Sequence, residues 1–243
     1  MKKKVSAVLI DLDGTLLPMD HQLFLSLYMA AFETCAQQAL WPVQKATLAL
    51  QQGIRAMQAN NGRMTNEKVF AEVFSSFLGI EEKKWHPVFE TFYQTQFPQL
   101  QQATKQTPWA AYLVNLLNEH TIPLVLATNP VFPKTATIQR LRWAGLKESQ
   151  FDIITTYEEY SFCKPNSAYY EQILKRMGLK AQQALMIGND VTEDMVAARM
   201  GMDHFLVTDN MLNSHNEDIS VYRQGSLQKA YQYCLRLVEN SNE

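Results

Sequence analysis

The chain has 243 residues, of which 22 are lysine or arginine and 24 are aspartate or glutamate, giving a formal net charge of −2. This balance gives no sign of the clustered excess of lysine and arginine that binding to a phosphate backbone requires, so we expect no nucleic-acid partner. Hydrophobic residues make up 47% and charged residues 19% of the chain, which is the composition of a globular protein rather than a disordered one.

The N-terminal segment begins like a secretory signal, but the pattern ends quickly. Met1 is followed by three lysines and then by residues 5–10, which are apolar except for Ser6, yet Asp11 and Asp13 interrupt the apolar run before a signal-peptide core could form. No later stretch approaches the ~20 apolar residues of a membrane-spanning helix. The three cysteines share no metal-binding or redox spacing, which fits a reducing compartment. We therefore expect a cytoplasmic protein with no membrane partner.

Short apolar runs alternate with helical patterns over most of the chain. The runs contain no polar residue in their centres, which predicts strands covered on both faces. The predicted strands are residues 5–10, 122–127, 151–155, 184–187 and 204–207. Helical patterns lie between and after them, at residues 108–120, 133–145, 170–178 and 226–238. Strands that alternate with helices in this way predict a parallel sheet built from βαβ units.

The segment between the first two predicted strands differs from the rest. It shows four amphipathic helical patterns and no strand pattern, which predicts an all-helical lobe. We interpret its aromatic stripes as core rather than as a ligand pocket; they comprise Phe70, Phe74, Phe77, Phe89, Phe92 and Tyr93. The sequence therefore predicts an α/β fold, with a Rossmann-like parallel sheet core in residues 1–17 and 104–243 and an all-helical cap domain in residues 18–103.

Two carboxylates stand directly after the first predicted strand. Asp11 and Asp13 are two residues apart, and in an open α/β sheet ligands bind outside the carboxyl ends of the strands. Gly14 permits a sharp turn, and Thr15 can form a hydrogen bond within the loop. The alternative interpretation is a plain turn whose aspartates cap the start of a helix.

Three further polar groups fall where other predicted strands end, and they strengthen the functional interpretation. These groups are Thr128 with Asn129, Lys164 before Pro165, and Asn189 with Asp190 and Asp194. With these motifs in this order, the chain resembles the haloacid dehalogenase superfamily of phosphotransferases and phosphatases. The motifs cover residues 1–17 and roughly 105–225, and the helical insert resembles the small cap of one branch of that superfamily.

The resemblance implies hydrolysis of a phosphate ester by a carboxylate nucleophile. A phosphate monoester dianion repels an anionic nucleophile, so the reaction needs positive charge at both partners. Mg²⁺ fits this need, because it is a hard ion that takes oxygen ligands and often uses only one or two protein carboxylates. The resemblance makes Asp11 the nucleophile, and Asp13 the acid that protonates the leaving alcohol and then the base that activates water.

The remaining roles also follow from the resemblance. Thr128 and Asn129 are expected to bind the phosphoryl group, with Lys164 as a point charge that neutralises nucleophile and phosphate. The alternative for Lys164 is a surface lysine that pairs with Asp194. The expected metal ligands are Asp11, the backbone carbonyl of Asp13, and Asp190, with Asn189 and Asp194 in supporting roles.

The fourth motif departs from the common pattern of the superfamily, which leaves one ligand open. Many relatives have Gly-Asp at its start, whereas this chain has Gly188-Asn189-Asp190. We favour Asp190 as the ligand, because an ionised oxygen binds Mg²⁺ more strongly than an amide oxygen does. The alternative is that Asn189 is the ligand and Asp190 caps the turn that follows.

The expected function is that of a Mg²⁺-dependent phosphatase acting on a small phosphorylated metabolite through an aspartyl-phosphate. Dehalogenating members of the superfamily lack the second carboxylate, so Asp13 favours ester hydrolysis over carbon–halogen cleavage. Two alternatives stay open: a phosphomutase similar to β-phosphoglucomutase, and a phosphate-binding sensor module without turnover. The sequence does not decide between a monomer and a dimer.

Overall fold

The computed structural model describes residues 5–239, which contain a six-stranded parallel sheet. The strands are β1 Ala7–Ile10, β2 Leu124–Leu126, β3 Ile153–Ile154, β4 Ala184–Gly188, β5 Asp203–Val207 and β6 Gln224–Gly225. They lie side by side in the order β3-β2-β1-β4-β5-β6. The predicted α/β fold with a parallel sheet is confirmed. Residues 1–4 and 240–243, which belong to the predicted core domain, lie outside the described residues.

Helices surround this sheet and also form the segment between β1 and β2. They are α1 His21–Gln38, α2 Val43–Gln58, α3 Asn66–Leu78, α4 Glu82–Thr95, α5 Pro108–Glu119, α6 Lys134–Trp143, α7 Ser167–Met177, α8 Val196–Arg199 and α9 Leu227–Glu239. A 3₁₀ segment, Phe97–Ala103, follows α4. None of the helices in the described part of the chain combines the length and apolar character that a membrane crossing requires.

Both faces of the central strands are buried, which explains why their sequences are continuously apolar. In β1, Val8 and Ile10 belong to the core beneath α5 and α9, whereas Leu9 belongs to a second core beneath α7. Alternate residues of a strand point to opposite faces, so a strand covered on both sides needs an apolar residue at every position. Each predicted strand lies on an observed one. Only β6 was missed, because Gln224 and Gly225 carry no apolar signal.

The helical segment that follows β1 leaves and rejoins the sheet through two paired linkers. The N–H of Asp20 donates to the carbonyl of Ala103, and the N–H of Lys105 donates to the carbonyl of Pro18, both at 2.9 Å. The four predicted helices are all present here as α1 to α4. The division of the chain into a cap domain and a core domain stays a prediction.

The aromatic stripes of the helical segment are core, with one exception. Five of the six aromatic residues are buried, whereas the side chain of Phe77 is 48% exposed, so its assignment to the core was wrong. Phe77 lies three residues after Phe74 on α3, and α3 buries the face that carries Phe70, Phe74 and Leu78 instead.

Candidate active site

The parallel order of the sheet brings the predicted motifs to one edge. Strand β1 lies between β2 and β4, so Asp11 at the end of β1 is flanked by the loops after those two strands. Thr128 lies in the loop after β2, and Asn189 directly follows β4. Lys164 reaches the same edge from the long loop between β3 and α7.

Lys164 joins two of the predicted carboxylates. Its Nζ lies 2.8 Å from Oδ1 of Asp11 and 2.6 Å from Oδ1 of Asp194, and the residue is only 2% exposed. The interpretation of Lys164 as a surface lysine is therefore wrong, although its pairing with Asp194 is present. Burial lowers the pKa of Lys164, but Asp11 and Asp194 outweigh this effect and hold the pKa well above its usual value. The ammonium group thus stays charged beside Asp11.

Two glycines permit the close approach of these loops. Gly14 has a φ of +86°, which only glycine adopts readily, and a Cβ at this position would collide with the amide of Asn189. A Cβ on Gly188 would collide with the carboxylate of Asp194. The Thr15 hydroxyl lies 3.1 Å from Oδ2 of Asp11 and 2.9 Å from Oδ1 of Asn189. The first and fourth motifs are thereby in direct contact.

Asp13 pairs with an arginine that the sequence analysis did not identify. Nη1 of Arg140 donates to Oδ2 of Asp13, and Arg140 is 1% exposed. Arg140 lies on α6, outside the four predicted motifs, and its position in the sequence pattern does not distinguish it from an ordinary helical residue. Burial raises the pKa of Asp13, while the charge of Arg140 opposes that shift without cancelling it.

Polar groups of Thr128 and Asn129, in the loop after β2, are held by hydrogen bonds to other residues. Thr128 is buried, and its carbonyl accepts hydrogen bonds from Tyr169 at 3.0 Å and from Thr155 at 2.5 Å. Nδ2 of Asn129 donates to Oε1 of Glu193 at 3.0 Å and to the carbonyl of Lys164 at 3.5 Å. Because both amide hydrogens have acceptors, any contribution of Asn129 to phosphate binding has to come from its backbone N–H.

Glu193 is a second residue that the sequence analysis missed. It lies within the acidic fourth motif, and burial raises its pKa to about 8, with Lys164 opposing the shift. Both of its carboxylate oxygens accept from Asn129, at 3.0 and 3.1 Å. Glu193 therefore ties the loop after β4 to the loop after β2.

The two candidate ligands in the fourth motif point in different directions. Oδ1 of Asp190 accepts hydrogen bonds from the N–H groups of Thr192 and Glu193, both at 2.8 Å, so it caps the turn that follows. The side chain of Asn189 is linked to Asp11 through Thr15: its Oδ1 accepts from the Thr15 hydroxyl that also contacts Asp11, and its Nδ2 donates to the carbonyl of Asn210 at 2.7 Å. This arrangement favours the alternative in which Asn189 is the ligand and Asp190 caps the turn.

The donor set fits a hard cation that takes oxygen ligands. Residues 5–239 contain no cluster of three or more histidine, cysteine, aspartate or glutamate side chains arranged to hold a metal ion. A site that uses one or two carboxylates together with carbonyl or amide oxygen, water and phosphate is the usual form for Mg²⁺. Acidic side chains also outnumber the basic ones around this edge, which are Lys164, Arg140 and His21; the acidic ones are Asp11, Asp13, Asp190, Glu193 and Asp194. A bound cation would offset this excess.

Comparisons with known proteins agree with this geometry. Residues 5–201 match the family of haloacid dehalogenase-like hydrolases. A glyceraldehyde 3-phosphate phosphatase of Methanothermobacter thermautotrophicus is 34% identical over 70 residues, which cover 28% of this chain and 31% of that protein. The matched segment thus spans less than a third of the length of this curated relative.

Two solved structures share the fold over nearly the whole chain. A 2-haloacid dehalogenase from Pseudomonas syringae pv. Tomato DC3000 superposes with a TM-score of 0.63 and 17% identity, covering 96% of this chain and 99% of that one. A HAD hydrolase from Bacillus subtilis bound to magnesium superposes with a TM-score of 0.54 and 22% identity, covering 95% and 99%. Because the family match extends over most of the sequence and includes the motifs from Asp11 to Asp194, the chain belongs to the haloacid dehalogenase-like hydrolases, as its motifs predicted.

Proposed function

We propose that this hydrolase is a Mg²⁺-dependent phosphatase that acts on a small phosphorylated metabolite through an aspartyl-phosphate intermediate. One observation carries the proposal: Asp11 is paired with the buried ammonium of Lys164, while Asp13, two residues further on, keeps Oδ1 without a partner among the described residues. The first carboxylate is neutralised for attack on an anion, and the second has an oxygen available for proton transfer.

Mg²⁺ would be held by the Asp11 carboxylate, the carbonyl of Asp13 and the amide oxygen of Asn189. When bound, the ion supplies positive charge that reduces the repulsion between phosphate and carboxylate. We propose Asn189 rather than Asp190 for the third position, because its Oδ1 contacts the same Thr15 hydroxyl that contacts Asp11, whereas Oδ1 of Asp190 caps the turn that follows. Asp194 supports the site by holding Lys164 at 2.6 Å.

In the first step, an oxygen of Asp11 attacks phosphorus and the bond from phosphorus to the ester oxygen breaks. Asp13 gives its proton to the departing oxygen, which leaves as an alcohol. In the second step, Asp13 removes a proton from water while the water oxygen attacks phosphorus, and the bond between Asp11 and phosphorus breaks. Inorganic phosphate leaves, and Asp11 and Asp13 return to their starting states. Lys164 and Thr128 neutralise and orient the phosphoryl group throughout.

Asp13 supports ester hydrolysis over dehalogenation, although structural neighbours include a dehalogenase. An alkoxide is a poor leaving group and needs a proton, whereas a halide leaves as a stable anion. A residue that supplies a proton is therefore required for an ester and not for a carbon–halogen bond. The short match to a glyceraldehyde 3-phosphate phosphatase also supports a small phosphorylated substrate.

We further propose that residues 18–103 form a cap that covers the site and selects the substrate. Two contacts support this role. The N–H of Asn66, at the start of α3, donates to the carbonyl of Tyr160 at 2.8 Å, and its Nδ2 donates to the carbonyl of Pro130 at 3.0 Å. These acceptors lie in the loops that carry Lys164 and Thr128, so the helical segment contacts the sheet directly beside the site.

Phosphate release from a panel of phosphoesters tests the proposed function. The panel should contain glyceraldehyde 3-phosphate, phosphoglycolate, sugar phosphates and nucleotides, each assayed with Mg²⁺ and again after chelation. We expect release of free phosphate from at least one small monoester, only with Mg²⁺ present and without a bisphosphate activator. A strict need for a bisphosphate would instead identify a mutase.

The Asp11→Asn variant tests the covalent step on whichever ester is turned over. We expect essentially no turnover and no phosphoprotein after acid quench, because the amide is not a nucleophile. Asp218→Asn, which changes an exposed aspartate, should retain activity and serves as the matched control. Substantial turnover by Asp11→Asn would contradict the covalent mechanism.

A further inference from the structure

Arg140 is a charged side chain that is almost completely enclosed at the edge of the site. It is 1% exposed, and its guanidinium carbon lies 4.4 Å from the centre of the Phe132 ring. Its other hydrogen bonds are weak and local: Nε to the carbonyl of Ala136 at 3.4 Å and Nη2 to the hydroxyl of Thr137 at 3.3 Å, both on its own helix. Besides the stacking on Phe132, the ion pair with Asp13 is the one hydrogen-bonded contact that the Arg140 side chain makes outside α6 among the described residues.

This pairing distinguishes the two oxygens of Asp13. Oδ2 accepts from Nη1 of Arg140, whereas Oδ1 is buried and has no partner among residues 5–239. Burying a carboxylate oxygen without a hydrogen-bond partner costs free energy, so the absence of a partner for Oδ1 needs an explanation. If Asp13 is the acid and base of the reaction, Oδ1 is the oxygen left open for the proton.

Resting on the proposed function, we infer that Arg140 is a positioning residue for Asp13: it anchors Oδ2 and thereby presents Oδ1 to the leaving oxygen and then to water. The proton moves from Oδ1 to the departing oxygen as the ester bond breaks, and it returns to Oδ1 from water in the second step. Oδ2 keeps the same arginine partner in both steps, so the carboxyl group need not reorient between them.

An arginine suits this role better than another donor. Its guanidinium is planar, stays charged at every relevant pH, and stacks on an aromatic ring, as it does on Phe132. The burial of its side chain and the local bonds to Ala136 and Thr137 leave it little freedom to turn. A lysine can restore the charge at this place, but not the planar shape or the stacking.

Substrates with different leaving groups can distinguish a positioning role of Arg140 from a merely structural one. We compare kcat of Arg140→Gln and Arg140→Lys on an alkyl phosphate and on p-nitrophenyl phosphate, whose leaving group needs little help from an acid. Since a misplacement of about 1 Å can reduce the rate about 10²-fold, we expect a loss of about that size for Arg140→Gln on the alkyl ester. The loss on the aryl ester should be at least several-fold smaller, and Arg140→Lys should recover part of the alkyl activity.

Two controls complete this experiment. Arg142→Gln changes an exposed arginine two residues further along α6 and should behave as wild type on both esters. In the Asp13→Asn background, Arg140→Gln should add little further loss, because the group that it positions is already disabled. Equal losses on both esters, or full additivity with Asp13→Asn, would overturn the inference. If Arg140→Gln does not fold, the same comparisons are made with Arg140→Lys.

The outcome for Arg140 can be separated from that for the proposed function. If wild type hydrolyses no phosphoester, or if Asp11→Asn stays active, the proposed function fails whatever Arg140 does. If wild type is a phosphatase that depends on Asp11 and Asp13, and Arg140→Gln lowers kcat equally on both esters, only the positioning role fails.

Discussion

Lys164 illustrates at the scale of one residue how a buried charge can be both structural and functional. It is held between Asp11 and Asp194 with almost no exposure to solvent. Replacing one partner of a buried ion pair leaves the other charges without compensation, which is more damaging than replacing the whole group. The fold at this edge therefore depends on the same ammonium group that we propose to neutralise the nucleophile.

We expect Lys164→Met to lower the free energy of unfolding by about 3–5 kcal/mol and to abolish turnover, because two buried carboxylates lose their shared cation. Chemical denaturation measures the first effect and phosphate release the second. Lys175→Met, at an exposed position on α7, is the matched control and should change neither. Retention of wild-type stability by Lys164→Met would contradict the ion-pair geometry.

The fourth motif gives a second prediction at this scale. If Asn189 faces the cation, Asn189→Ala should remove the rise in melting temperature that Mg²⁺ produces, since an ion that binds only the native state stabilises it. Asp190→Ala should keep that rise. It should lower the free energy of unfolding by about 1 kcal/mol, because the hydrogen bonds to the N–H groups of Thr192 and Glu193 are lost. Thermal unfolding with and without Mg²⁺ measures both. The opposite pattern would restore Asp190 as the ligand.

At the scale of elements, the start of α3 is attached to the loops of the site by a buried polar network. Asn66 is fully buried; its Oδ1 accepts from Asn60 at 2.8 Å, and its Nδ2 donates to Pro130 at 3.0 Å and to the sulfur of Cys163 at 3.3 Å. Pro130 and Cys163 are direct neighbours of Asn129 and Lys164. One helix of the inserted segment thus contacts two loops of the site.

Asn66→Ala should lower the free energy of unfolding by about 1–3 kcal/mol, because it leaves buried polar groups without a partner. We also expect a raised KM, since the loops proposed to bind phosphate lose their contact with α3. Asn118→Ala, on the exposed side of α5, is the control. Unchanged stability and unchanged KM would show that the network does not support the site.

The elements show which features the sequence could predict. Strands β1, β2 and β4 were predicted because burial on both faces requires apolar residues throughout. The order of the motifs then placed Asp11, Lys164 and Asn189 at one edge, since all parallel strands end there. Arg140 could not be predicted this way. Its contact with Asp13 depends on how α6 packs against the sheet, and the spacing of residues in the sequence does not reveal that packing.

At the scale of the whole molecule, one continuous core joins the inserted helices to the sheet. Phe97 lies at the junction: it is fully buried, stacks on Trp143 of α6 with ring centres 5.4 Å apart, and meets Phe24 of α1 edge-on at 6.2 Å. Because the inserted helices and the sheet share this packed core, we expect residues 5–239 to unfold together.

Scanning calorimetry should therefore show a single transition, and Phe97→Ala should lower the free energy of unfolding by about 3–5 kcal/mol through the cavity that it leaves. Phe77→Ala is the control, because that side chain is 48% exposed and should cost less than about 0.5 kcal/mol. Two separate transitions in the wild-type chain would contradict a shared core.

The pairing of Asp20 with Ala103 and of Lys105 with Pro18 brings the two crossings between sheet and helical insert side by side. The insert therefore begins and ends at two linkers that lie next to each other. Insertions or deletions among its helices therefore need not shift Asp11 relative to Lys164, since neither residue depends on the length of chain in between. The helices of the insert can therefore differ in length while Asp11 and Lys164 keep their positions, provided that the contacts of Asn66 and Phe97 are retained.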